Sequence, residues 1–283
     1  MNDAADFELQ KEPPLSTPPP APRPSYVPLI AGLVVVALIV GALIYLARDT
    51  PPSSSAAGSI ATDTSVPPPA PLGVEVEPIE LPPLDESDEA VRQLVRALSS
   101  HPSVAAWLAT DGLIRNFTVV VENIAAGRTP SRQLRVLKPA QPFATADAGS
   151  GNGDVVIDPR SYNRYNDLAA AVASINPKGA ATLYSTLKPR IEEAYRELGE
   201  TGSFDRELEA AIVLLLDTPV VAGEVALLPR GGLYAYNDLR IERLTPAQKQ
   251  LVRMGARNIQ VVQRTLRQIA LALGIPPERL PAA

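Results

Sequence analysis

Cysteine is missing from all 283 residues, and histidine occurs once, as His101. Without thiols the chain uses no disulfide, and thiol catalysis and thiolate metal binding are excluded. A multi-histidine zinc site is excluded as well. A Ser-His-Asp triad needs one histidine, yet no Gly-x-Ser-x-Gly elbow accompanies this one, and Ser100-His101-Pro102 reads as a turn or helix end. Aromatic residues are scarce, at 5 %. Nothing resembles a helix-turn-helix or an aromatic RNA platform, which argues against nucleic acid as a partner. Charge of one sign is missing in two long stretches. From Asp49 to Val91 there are nine acids and no base, and from Thr245 to Pro277 there is no acid at all.

What the chain does have is a run of nineteen uncharged, mostly apolar residues, Leu29 to Ala47. As a helix it is roughly 28 Å long, close to the hydrocarbon thickness of a bilayer. It is longer than a signal h-region, and Tyr45-Leu46-Ala47-Arg48-Asp49 offers no good cleavage site, so it reads as an uncleaved membrane anchor. Lys11 and Arg23 precede it and Arg48 follows, which leans the N-terminus inward and the C-terminal part outward.

Proline marks the remaining boundaries. Residues 1–28 hold eight prolines and little apolar content, the composition of a disordered tail. Residues 48–84 form a proline-rich acidic linker, spanning roughly 30–35 Å as a coil and up to about 110 Å in polyproline form. Residues 85–283 have ordinary globular composition and read as one domain. The net charge is −5, but residues 92–283 carry 23 Lys and Arg against 18 Asp and Glu, so the domain is mildly basic.

Hydrophobic spacing in the domain is mainly helical. Val91, Leu94, Val95 and Leu98 form one stripe, and Leu113, Ile114, Phe117, Val120, Val121 and Ile124 a second that Gly127 ends. Asp158-Pro159 reads as cap and first residue of a helix burying Leu168, Ala171, Val172 and Ile175. Asn176-Pro177 and Thr245-Pro246 repeat that signal, and Lys188-Pro189 predicts a break or kink. Val155 to Ile157 after a glycine-rich turn, and Val225 to Leu228 with Leu233 to Tyr236 around Pro229-Arg230-Gly231-Gly232, read as strands. The expected class is mainly α (α+β): one membrane helix, then a helical domain with small β-hairpins.

Candidate chemistry is sparse. Ser185-Thr186-Leu187-Lys188 matches Ser-x-x-Lys, and Ser161-Tyr162-Asn163 its Ser-x-Asn companion, but the order is reversed and no Lys-Thr-Gly follows. The loop Gly149 to Asp154 lacks the Gly-Lys-Ser/Thr ending of a phosphate loop. Neither pattern supports a catalytic, metal or cofactor assignment. Two surfaces support binding. Arg160, Tyr162, Arg164 and Tyr165 cluster at a helix start, the residue types of interface hot spots, unless they pack and pair locally. On a continuous last helix Lys249, Arg253, Arg257, Arg264 and Arg267 fall within an arc of about 80°. A break at Met254-Gly255-Ala256 would destroy that alignment.

The string Ala106-Trp107-Leu108-Ala109-Thr110-Asp111-Gly112-Leu113-Ile114-Arg115, continuing to Asn123-Ile124-Ala125-Ala126-Gly127-Arg128, carries a family resemblance. So do Asp158-Pro159-Arg160-Ser161-Tyr162, Ala194-Tyr195-Arg196-Glu197-Leu198-Gly199 and Pro246-Ala247-Gln248-Lys249-Gln250-Leu251-Val252-Arg253-Met254-Gly255. Together they resemble the bacterial family called domain of unknown function 3014, across roughly residues 85–273. The resemblance implies a single-pass membrane protein with a proline-rich segment before one C-terminal domain, and no activity. The expected function is a non-enzymatic interaction module on the bacterial inner membrane, its domain periplasmic, with an envelope protein or an anionic polymer as partner. Two alternatives stay open: an envelope hydrolase using carboxylates and the Tyr/Arg cluster, and a cytoplasmic-side domain that contacts lipid.

Overall fold

The computed structural model describes residues 70–282, apart from 97–98, 131, 134, 149–154 and 232. The proline-rich tail, the apolar run Leu29–Ala47, most of the linker and the glycine-rich loop lie outside the described residues. Among the described residues no single helix is long and apolar enough to cross a membrane.

Local signals place most of the helices. Asp88–Arg96 (α1) begins with two acids in its first turn, where the helix dipole favours them. Pro102–Leu108 (α2) is capped by the lone histidine, whose Nδ1 accepts the Ser103 N–H at 3.2 Å. Leu113–Ala125 (α3) carries the second apolar stripe. Its first N–H groups are satisfied from outside: Asp88 accepts from Gly112 and Leu113 at 2.7 and 2.8 Å. Arg92 donates to the Leu108 and Thr110 carbonyls, so α1 pins the corner between α2 and α3.

The helix expected from Asp158 is two helices. Pro159–Asn163 (α4), capped by Asp158, ends before Tyr165, and Asn166–Ala173 (α5) follows as a separate element. Tyr165, at the break, is completely buried. Pro177–Glu197 (α6) runs through Pro189 as one element. An interior proline costs about 3 kcal/mol, but Leu187 and Ile191 on either side are fully buried and offset it. Phe204–Leu216 (α7) packs against α3 and is capped by Ser203.

The expected hairpins form one four-stranded antiparallel sheet in the order β1-β2-β3-β4: Thr145–Asp147, Val155–Ile157, Ala226–Arg230 and Leu233–Tyr236. Val155 opposes Leu227, joining strands separated by four helices, and Leu227 opposes Tyr236. After the sheet come Leu239–Glu242 (α8), Pro246–Val252 (α9) and Ala256–Ala272 (α10). Thr245 and Gln248 form a complete capping box on α9. The last helix is therefore interrupted where Gly255 stands, with φ +78° and ψ 158°.

Two cores result. Phe204 centres the larger one, with Phe117 and Tyr195 each 5.5 Å away between ring centroids. Burying one such ring contributes roughly 1.5–3 kcal/mol. The smaller core lies under the sheet, where Ile157, Leu227 and Tyr236 meet Ile241 and Val252.

Candidate functional site

Residues 72–84, read from sequence as linker, lie across α6 and α7 and carry no helix or strand before a 3-10 turn at Leu84–Glu86. Their main chain is gripped at two places. At the first, Ser185 Oγ accepts the Val74 N–H at 2.7 Å and Lys188 Nζ donates to the Leu72 carbonyl at 3.2 Å. Asp205 Oδ2 accepts the Leu72 N–H at 3.0 Å and pairs with Lys188 Nζ at 2.6 Å, while Oδ1 accepts the Tyr184 hydroxyl. The Gly73 N–H donates to the Leu273 carbonyl, just past α10, at 2.9 Å. At the second place Arg190 donates to the Leu81 and Pro82 carbonyls at 2.9 and 2.8 Å. Gly73 has φ +112°, and a Cβ there would lie 2.3 Å from Ser185 Oγ, so a side chain fits neither the backbone nor the space.

Burial and the Asp205 carboxylate push the Tyr184 phenol far above its ordinary range, so it stays a hydroxyl donor. A charged pair this enclosed is tolerated because its remaining bonding capacity is satisfied by residues 72–84, the strap. Ser185 also donates to the Ala181 carbonyl at 3.2 Å. The Ser-x-x-Lys motif thus works here as a clamp on peptide main chain. No sequence motif marks Asp205, Tyr184 or Arg190 for this role. The one sequence signal for the strap is the apolar content of the linker's second half, where Leu72, Leu81 and Leu84 pack on the core.

The Tyr/Arg cluster is used mostly within the fold. Arg160 is exposed and folds back on Asp158, whose carboxyl it holds below the usual range. Arg164 donates to the Ser161 and Gln141 carbonyls, both at 3.0 Å, and lies over the rings of Phe143 and Tyr165. Tyr165 is fully buried, its hydroxyl accepting from Gln250 at 3.4 Å; burial pushes its phenol up. Tyr162 is half-buried against Gly255, and desolvation, followed by the nearby Tyr236, pushes it up to about 12.

The basic residues divide at Gly255. Lys249 donates to the Glu242 carbonyl and carboxylate at 3.1 and 3.4 Å, and Arg253 to Gln250 at 3.0 Å. Both belong to the α9 side of the break, so the five cations do not share one continuous arc. On α10, Arg267 donates to the Pro281 carbonyl at 2.6 Å. Arg257 and Arg264, two turns apart on its outer face, are exposed and have no side-chain partner among the described residues. No cluster of three metal-ligating side chains occurs among the described residues.

Fold and site together define a class: a helical domain backed by one small antiparallel sheet, with its proline-rich lead clamped through the main chain. Residues 113–270 match the model of the family described as protein of unknown function, DUF3014, and the chain belongs to that family. The match runs from the first residue of α3 into the last turn of α10, leaving the strap outside it. No curated protein matches the chain, and no solved structure does.

Proposed function

We propose that this chain is a membrane-tethered, non-enzymatic interaction module of the bacterial envelope. Leu29–Ala47 crosses the inner membrane once, the base-poor side faces outward, and the domain works in the periplasm. There it presents the outer face of α10 to an envelope protein or an anionic polymer. The observation that carries this reading is the pair Arg257 and Arg264: exposed, unpaired among the described residues, and set in a stretch without acids. The hydrolase alternative has less support, because Arg164 and Tyr165 are packed inward and Ser185 and Lys188 hold main chain.

The test uses the full chain in detergent on immobilised polyglutamate as the anionic probe. Retention is expected to fall with salt, because exposed charges are screened within about 8 Å at physiological ionic strength. Arg257→Glu with Arg264→Glu should abolish retention while changing stability by no more than about 0.5 kcal/mol. Arg253→Glu is the contrast: half-buried and bonded to Gln250, it should lose about 1–3 kcal/mol of stability. Retention or stability that contradicts this division sinks the docking face. Orientation is read separately, by external protease on spheroplasts carrying a tag after Ala283. Loss of the tag supports the periplasmic reading, and protection until lysis supports the cytoplasmic-side alternative.

A further inference from the structure

Exposed apolar side chains concentrate around the end of the sheet. Leu228, Leu233 and Leu239 retain 50, 40 and 64 % of their accessible surface. Leu228 opposes Ala235 and Arg230 opposes Leu233, so these four residues share one face of β3 and β4. The opposite face carries buried Leu227 and Tyr236 over the smaller core, and there Tyr234 lies beside Phe143. Leu239 opens α8, which packs beside β4. Val225 to Asn237 contains one cation, Arg230, and no acid, with Glu224 before it and Asp238, paired with Arg240, after it. Arg230, and Arg243 just beyond α8, are exposed and have no side-chain partner among the described residues. Exposed Leu228 and Leu233 on one sheet face, with Arg230 on that face and exposed Leu239 and Arg243 following β4 in the chain, mark an interaction surface.

We infer that this face of β3 and β4, with Leu239, rests on the surface of an anionic bilayer. Leucine side chains enter the boundary between headgroups and acyl chains. The free guanidiniums of Arg230 and Arg243 match anionic lipid phosphates, an attraction that fades within a Debye length. Reach is sufficient on the anchored reading, on which this inference rests. The 24 residues between Ala47 and Leu72 can extend to about 74 Å at ~3.1 Å per residue, beyond the diameter of roughly 43 Å that a radius of gyration of roughly 17 Å gives a domain of this size. The sheet face can therefore meet the bilayer that holds the anchor.

The test places a fluorescent reporter on the face of the full chain reconstituted in vesicles. Leu233→Trp is the first variant and Leu239→Trp the second, so that one poorly folded variant does not decide the result. Trp107, the single native tryptophan, is buried and serves as the internal constant. The reporter emission should shift to the blue and be quenched in vesicles of brominated phosphatidylglycerol. High salt or brominated phosphatidylcholine should remove most of the quenching, as should Leu228→Glu with Arg230→Glu. Vesicle flotation separates the two readings. A chain that does not float overturns the anchored reading and this inference with it. A chain that floats with both reporters unquenched overturns the lipid contact alone and leaves the face to a protein partner. Equal quenching in both lipids overturns the assignment to anionic headgroups.

Discussion

Glu207 on α7 is partly buried, and loss of water raises its pKa above the ordinary 4.5, helped by the nearby Glu122 and Glu200 carboxylates. A hydrogen bond from Tyr195 opposes the shift without cancelling it. The folded state therefore binds this proton more tightly than the unfolded chain. Its contribution to stability is complete below about pH 4.5 and is lost as pH rises through the raised native value. Glu207→Gln should thus be more stable than the parent at pH 7, with the difference closing in acid; urea midpoints across that range check it. Single residues are legible where their partners are close in sequence. Asp158, Asn176 and Thr245 cap helices through N–H groups two or three residues ahead, so their roles show in the sequence itself. Asp205 and Arg190 grip main chain 133 and 108 residues away, and no local pattern marks them.

At the scale of elements, helix existence is easier to read than helix continuity. The apolar stripe of α3 and the proline starts of α4, α6 and α9 all appear where the spacing puts them. Continuity depends on packing: α6 persists through Pro189, whereas the helix expected from Asp158 breaks at Tyr165 and the last one at Gly255. Gly255 takes a backbone conformation reserved for glycine, and a Cβ there would sit 2.6 Å from the Tyr162 ring. Gly255→Ala should therefore cost about 1–3 kcal/mol in urea unfolding. A neutral result would show that neither the backbone conformation at Gly255 nor the close Tyr162 ring requires glycine there. Thr145–Asp147 is not legible as a strand, because three residues with a threonine, an alanine and an acid show no alternation. Its place is set by pairing with Val155–Ile157.

The whole molecule is organised around a lead segment that the domain itself holds. The strap joins α6, α7 and the end of α10 to the chain arriving from the N-terminal side. Gly73→Ala should loosen it, with a loss of about 1–3 kcal/mol from backbone strain and overlap with Ser185. Ser185→Ala removes the overlapping hydroxyl, so the double variant should lose less than the sum of the single ones in equilibrium unfolding. Additive losses would show that the strain does not pass through Ser185. Composition, the length of the apolar run, helix caps and apolar stripes are properties of neighbouring residues, and these alone specify the mainly helical class. The four-stranded sheet, the broken helices and the clamp join residues far apart in the chain. They depend on which faces meet once apolar surface is buried, and only packing in three dimensions settles that.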